Sequence, residues 1–353
     1  MRAAVTLLKL ALVALVCLTL AIGGAVAWIE TQCHGAPSRQ SPARFIEAPQ
    51  DRRPEARSFL TYPEWHIVFA YADYAQVLKG GAPQDFAYWP AVRDFWRSSC
   101  VMAAEADRYG SAGPEARRTL YVIGASFSIE MAAKALYENT LGRVSSLAGS
   151  NSAQDAVEAE MASVYAEFLQ QEPWYRFDFQ DWRDRLWTPP VENPVRGWER
   201  RLALGAEWSA KALYAGAISG AVAATGGDET RMLLVVSRVA PDAIADLPSG
   251  RLVAPVGAAL LLDVPRYGIF TTTVQAIAAI GGEFVEIAGN DDILVSILSR
   301  VPPRLPGTAR LLHVVERFDG RDRYLVAVPV ESLAGLLRTL RFGPARVEHV
   351  YDY

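Results

Sequence analysis

The sequence predicts an α+β protein: an N-terminal transmembrane helix, an all-α helical domain, then a C-terminal α+β sandwich, for which a ferredoxin-like arrangement is one form. Three observations carry this. An apolar stretch runs from Val5 to Ile29. From Thr61 to Ala224 apolar residues recur at helical spacing. After Gly226-Gly227-Asp228 the pattern shortens to β-rich runs separated by turn residues.

Residues 1–30 read as the membrane segment. Leu10 to Ile22 carries no charge, and Arg2 and Lys9 lie at or before its start. As an anchor, Val5 to Ile29 exceeds the roughly 20 apolar residues a span needs, with Lys9 free to snorkel. As a signal peptide it has a basic start, an apolar centre and Ala25-Val26-Ala27 as a cleavage site. Trp28 and Ile29 continue the apolar run past that site, which favours the anchor. Both readings put the body outside the cytoplasm, because the basic end is held inside. The expected location is therefore the bacterial inner membrane, single-pass, with the body on the periplasmic side.

Residues 31–57, rich in Pro, Arg, Ser and Gln, read as a flexible tether. The helical domain is expected over 58–226. Thr61-Tyr62-Pro63-Glu64 suggests a capping box at the start of a helix that reaches Leu78. Further helices are expected over 90–109, 114–139, 153–171 and 197–224. Between the last two, Trp174 to Trp187 is dense in aromatics, either an interface or a segment packed across the bundle.

The α+β domain is expected over 231–353. Strands are read at 232–236, 258–264, 283–287, 293–298, 310–318, 324–330 and 346–351. Helices are read at 267–280 and 331–340. Two hairpins are expected, around 288–292 and around Asp319-Gly320.

Composition narrows the function. Hydrophobic residues make up 51% and charged residues 21% of 353, enough for a sizeable core. The net charge of −4 and the lack of a basic-aromatic run exclude nucleic acid as a main partner. Of three cysteines, Cys17 lies in the apolar segment, leaving Cys33 and Cys100 as a possible disulfide or two free thiols.

One short duplication stands out. Glu130-Met131-Ala132-Ala133-Lys134-Ala135-Leu136-Tyr137 recurs 77 residues on as Glu207-Trp208-Ser209-Ala210-Lys211-Ala212-Leu213-Tyr214, with six of eight positions identical. Glu and Lys four apart share a helical face in the favourable order. The surrounding faces are small or apolar, so each pair is expected at least partly out of water. Glu130, Lys134, Tyr137, Glu207, Lys211 and Tyr214 are therefore the candidate polar site. The four charges either neutralise one another as packing neighbours or line a pocket.

Other chemistry is sparse. His34, His66, His313 and His349 form no zinc motif. Glu283, Glu286, Asp291 and Asp292 cluster near a turn, and Gly-Asn-Asp there is ordinary turn chemistry, so no metal is expected. No phosphate-binding glycine loop or nucleophile elbow appears, and no cofactor is expected.

Thr61-Tyr62-Pro63-Glu64-Trp65, Tyr137-Glu138-Asn139-Thr140 with Gly142-Arg143, and Glu286-Ile287-Ala288-Gly289-Asn290-Asp291-Asp292 resemble segments of uncharacterised bacterial membrane-anchored proteins. The resemblance implies an architecture and assigns no functional residue. The expected function is a membrane-anchored envelope protein. It meets lipid through its N-terminal helix and binds a partner protein or a small ligand. The alternative is an exported enzyme using the duplicated Glu/Lys helices.

Overall fold

The first helix, α1 (Arg2–Gln32), stands at the start of a computed structural model that describes residues 2–37, 45–53, 55–110, 112–149, 152–225, 230–247, 249–317 and 319–351. Among the described residues no helix is long and apolar enough to cross a membrane. Part of the expected span, the side chains at 2–8, 10–12, 14 and 15, lies outside the described residues.

The expected tether at 31–57 is corrected where it is described. A disulfide joins Cys33 to Cys100. Gly35 crosses so close to the Ala104 carbonyl that a Cβ would sit 1.9 Å from its oxygen. Further on, Phe45 and Ile46 donate their backbone N–H groups to the Glu286 carboxylate, at 2.8 and 3.3 Å, and Ile46 is only 2% exposed. The Pro- and Arg-rich composition hides these few anchoring residues. Residues 38–44 lie outside the described residues.

The helical region contains α2 (Glu55–Phe59), α3 (Tyr62–Leu78), α4 (Tyr88–Arg108), α5 (Gly113–Tyr137), α6 (Arg143–Ser146), α7 (Ala153–Phe168), α8 (Phe179–Arg185) and α9 (Pro194–Thr225). The capping box expected at Thr61 does not form. The chain at Thr61 is already helical because α2 leads into α3, and its hydroxyl donates to the Ser58 carbonyl at 2.7 Å. A capping box instead starts α7, where Ser152 and Asp155 exchange bonds. Between α5 and α6 the chain makes a π turn over Glu138–Gly142.

The C-terminal region holds β1 (Arg231–Ser237), β2 (Arg251–Val256), β3 (Ala259–Pro265), α10 (Gly268–Ala279), β4 (Glu283–Ile287), β5 (Asp292–Ser299), β6 (Arg310–Val315), β7 (Asp322–Pro329), α11 (Val330–Leu340) and β8 (Arg346–Val350). The strands form two antiparallel sheets, ordered β2-β3-β1-β4 and β6-β7-β5-β8. Each sheet is one β-β-β-α-β unit, and the second repeats the first 59 to 63 residues later. Irregularities recur too, between Val235 and Val236 against β4 and between Ser296 and Ile297 against β8. The ferredoxin-like expectation is thus replaced by a tandem repeat. The hairpin expected around 288–292 is also corrected. Its strands β4 and β5 belong to different sheets, and the turn is the join between repeats. The hairpin at Asp319-Gly320 pairs β6 with β7.

Burial explains the layering. The inner sheet faces and both helices share one core, including Leu234, Leu262, Phe270, Ile277, Val326 and Leu336. The outer face of the second sheet, with Leu294, Leu325 and Tyr351, joins the core of the helical region. Ion pairs from Arg317 to Asp73 and from Arg310 to Glu105 cross the same boundary.

Candidate functional site

The duplicated segments lie on α5 and α9. These helices run antiparallel, since Lys134 meets Glu207, Glu130 meets Lys211 and Glu138 meets Arg200. On the shared face the charges of the two helices turn towards each other. Each lysine pairs with the glutamate of the other copy, with Lys134–Glu207 and Lys211–Glu130 both at 2.8 Å. Lys211 also approaches Glu207 at 3.3 Å. Tyr71 of α3 donates its hydroxyl to Glu130 Oε1 at 2.5 Å and accepts from Lys211 at 3.3 Å.

The electrostatics are set by this mutual pairing. Burial would lower the lysines, but the adjacent glutamates outweigh it and hold both above their ordinary range. Burial would raise Glu207, but Lys134 and Lys211 hold its carboxyl below the usual range. A lysine held cationic in this way is a poor general base near neutrality.

Behind Glu130 and Lys211 the helices do not close. A cavity of about 370 Å³ opens between α3, α5, α9 and the chain after α7. Its walls include Trp65, Val68, Phe127, Tyr165, Trp174 and Tyr267, with Glu130 and Lys211 among the polar lining groups. That volume lies in the ordinary range for small-ligand sites. Tyr267 approaches from the α+β region at the N-cap of α10, with φ 65° and ψ −147°. This backbone region is close to glycine-only and costs on the order of 1–3 kcal/mol.

The two tyrosines of the duplication part company. Tyr214 stands at the cavity, 46% exposed, with its ring 5.1 Å from that of Trp174. Tyr137 leaves the site and donates to Glu199. It belongs to a second polar network that the sequence reading missed. There Arg200, fully buried, donates to Glu138 at 3.0 Å, Glu158 at 3.2 Å and Glu199 at 2.8 Å. Arg196 holds Asp155 at 2.6 Å, and Tyr74 donates to Glu158 at 2.6 Å. Burial pushes the Glu138 carboxyl up in spite of Arg200. Arg196 and Arg200, four apart on one helix, are the signal that could have revealed this network.

Other candidates resolve into structural roles. His66 is buried, its Nε2 lies 2.9 Å from the Ala91 carbonyl, and burial lowers it to about 4. Glu283 pairs with Arg338, Glu286 binds the 45–46 backbone, and Asp292 accepts from Tyr109. Among the described residues no group of three or more His, Cys, Asp and Glu is placed to hold a metal ion. In the aromatic stretch, Phe177, Phe179, Trp182 and Leu186 are buried in the helical core, whereas Trp174 and Tyr175 line the cavity.

Among the exposed apolar side chains are Val13, Val16 and Leu20 on α1, Ile129 and Leu136 on α5, and Leu202 and Leu213 on α9. No family model, no curated protein and no solved structure matches the chain.

Proposed function

We propose that this is a membrane-anchored bacterial envelope protein whose helical region binds a small apolar ligand in the cavity at Glu130 and Lys211. The observation that carries the reading is the concave, aromatic-walled cavity with a few convergent polar groups at one place. The enzyme alternative is weaker, because both lysines are held protonated by their glutamates and supply no base.

The anchor rests on the uncharged run Leu10 to Ile22 and on the exposed Val13, Val16 and Leu20 of α1. Export is supported by the Cys33–Cys100 disulfide, a bond that persists in oxidising compartments. The same resemblance to uncharacterised membrane-anchored proteins fits this reading.

Binding is tested with Nile red, a neutral apolar dye, on the full chain in detergent. Saturable fluorescence that Val68→Trp abolishes, in a folded variant, supports the cavity as the site. Signal unchanged by Val68→Trp overturns it. The anchor is tested by alkaline washing of membranes and protease treatment of spheroplasts. Retention in the membrane with the body cleaved is expected. Release by the wash contradicts the anchor, and a mature chain starting at Trp28 makes the segment a signal peptide.

A further inference from the structure

The polar floor of the cavity is asymmetric. Lys211 has three N–H donors, and three acceptors already face them: Glu130 Oε1 at 2.8 Å, Glu207 Oε1 at 3.3 Å and the Tyr71 hydroxyl at 3.3 Å. The Tyr71 hydroxyl is itself committed to Glu130. An anionic ligand would therefore have to break the lysine's existing pairs to gain a bond from it.

Glu130 differs. Both its bonds fall on Oε1, from Tyr71 and Lys211. Its Oε2 accepts no hydrogen bond among the described residues, and the Glu130 side chain is 28% exposed and lines the cavity. The Tyr165 side chain also lines the cavity, and its hydroxyl can accept as well as donate. The lining therefore offers a carboxylate oxygen and a phenol oxygen.

The aromatic walls have the same preference. Ring faces attract cations, and Tyr71 and Tyr165 already lie 4.9 and 5.4 Å from the Lys211 ammonium. Trp65, Phe127, Trp174 and Tyr267 supply further rings to the cavity. The Lys134–Glu207–Lys211–Glu130 chain of ion pairs is neutral as a whole, so a guest cation meets no net positive charge there. Glu64 and Glu172 also line the cavity, the latter paired with Arg176.

The geometry points to an organic ammonium as the ligand: an apolar or aromatic body in the cavity, with its protonated amine donating to Glu130 Oε2. This inference rests on the cavity being a ligand site. A free amine and an ammonium lipid headgroup share the chemistry.

The test is calorimetric titration of the full chain in detergent with three matched probes: 3-phenylpropylamine, 3-phenylpropan-1-ol and 3-phenylpropanoate. The amine is expected to bind at least about tenfold more tightly than the alcohol, with the carboxylate weakest. Glu130→Gln is expected to remove the amine's advantage over the alcohol. If Glu130→Gln does not fold, Trp174→Leu at the cavity wall is expected to weaken the amine several-fold more than the alcohol. Equal affinities, or a preferred carboxylate, overturn the ammonium assignment while Nile red binding keeps the cavity reading. Loss of all probe and dye binding overturns both. Displacement of the amine by phosphatidylethanolamine, and not by phosphatidylglycerol, makes the source a lipid headgroup. Its absence makes the source a free amine.

Discussion

Two polar networks sit side by side between α5 and α9, and they are built to opposite plans. Around Arg200 the carboxylates of Glu138, Glu158 and Glu199 all converge on one buried guanidinium, and Tyr74 and Tyr137 add hydroxyl donors to them. Around Lys211 the pairing is equally dense, but Glu130 lines a cavity, and its second carboxylate oxygen accepts no hydrogen bond among the described residues. A closed network fixes helices in place. An open one keeps a polar group available at the cost of water access, and that difference separates a structural device from a binding site.

The comparison can be broken by removing one cation from each network. Arg200→Met leaves Glu138 and Glu158 buried with no counter-ion and should cost about 3–5 kcal/mol in urea unfolding. Lys211→Met strands Glu130, which is partly reachable by water, while Glu207 keeps Lys134, and should cost less, about 1–3 kcal/mol. Equal losses would mean that the two networks do not differ in closure.

A third variant sharpens the boundary between regions. Tyr267→Gly relieves the positive-φ backbone but removes a ring from the cavity wall. A melting temperature equal to or above that of the parent chain, with weaker Nile red binding, is expected. A large loss of stability would show that Tyr267 is there for packing alone.

The smallest effect concerns pH. Burial, with the charges of Asp292 and Asp291, raises Glu55 from 4.5 to about 7, although the Asp292 N–H bonds to it. The folded chain then holds this proton more tightly than the unfolded chain. Glu55 therefore favours folding at pH below 4.5, and that contribution is lost as pH rises towards 7. Glu55→Gln should flatten the decline in stability across this window. An unchanged profile would count against the shift.

How much of this could be read from the chain depends on what each feature leaves in the sequence. The copied octapeptide was visible because six of its eight residues are identical, yet its two tyrosines stand in different surroundings. The larger repeat of two β-β-β-α-β units was hidden, because a sheet core asks only for apolar residues at alternate positions and tolerates their exchange. Only echoes remain, such as Val264-Pro265 beside Val328-Pro329 and Val285-Glu286 beside Val347-Glu348. Strand β2 was missed because Arg251 to Val256 is mostly exposed at a sheet edge. The Glu130–Lys211 pairing was half legible. Helical spacing put Glu and Lys on one face, but the exchange of partners between copies depends on the antiparallel packing of α5 and α9. Trp65, Tyr71 and Tyr165 carried no signal of a cavity, since aromatic residues are ordinary core.

The most direct measurement pairs two glutamates of the same charge, one from each network. Unfolding free energy and 3-phenylpropylamine affinity are measured for Glu130→Gln and Glu158→Gln. Glu130→Gln should stay within about 1 kcal/mol of the parent chain in stability while binding falls about tenfold. Glu158→Gln should lose about 3 kcal/mol with binding unchanged, because its carboxylate compensates buried Arg200. The reverse pattern, or two variants that lose stability and binding in parallel, would contradict the division into a closed network and an open site.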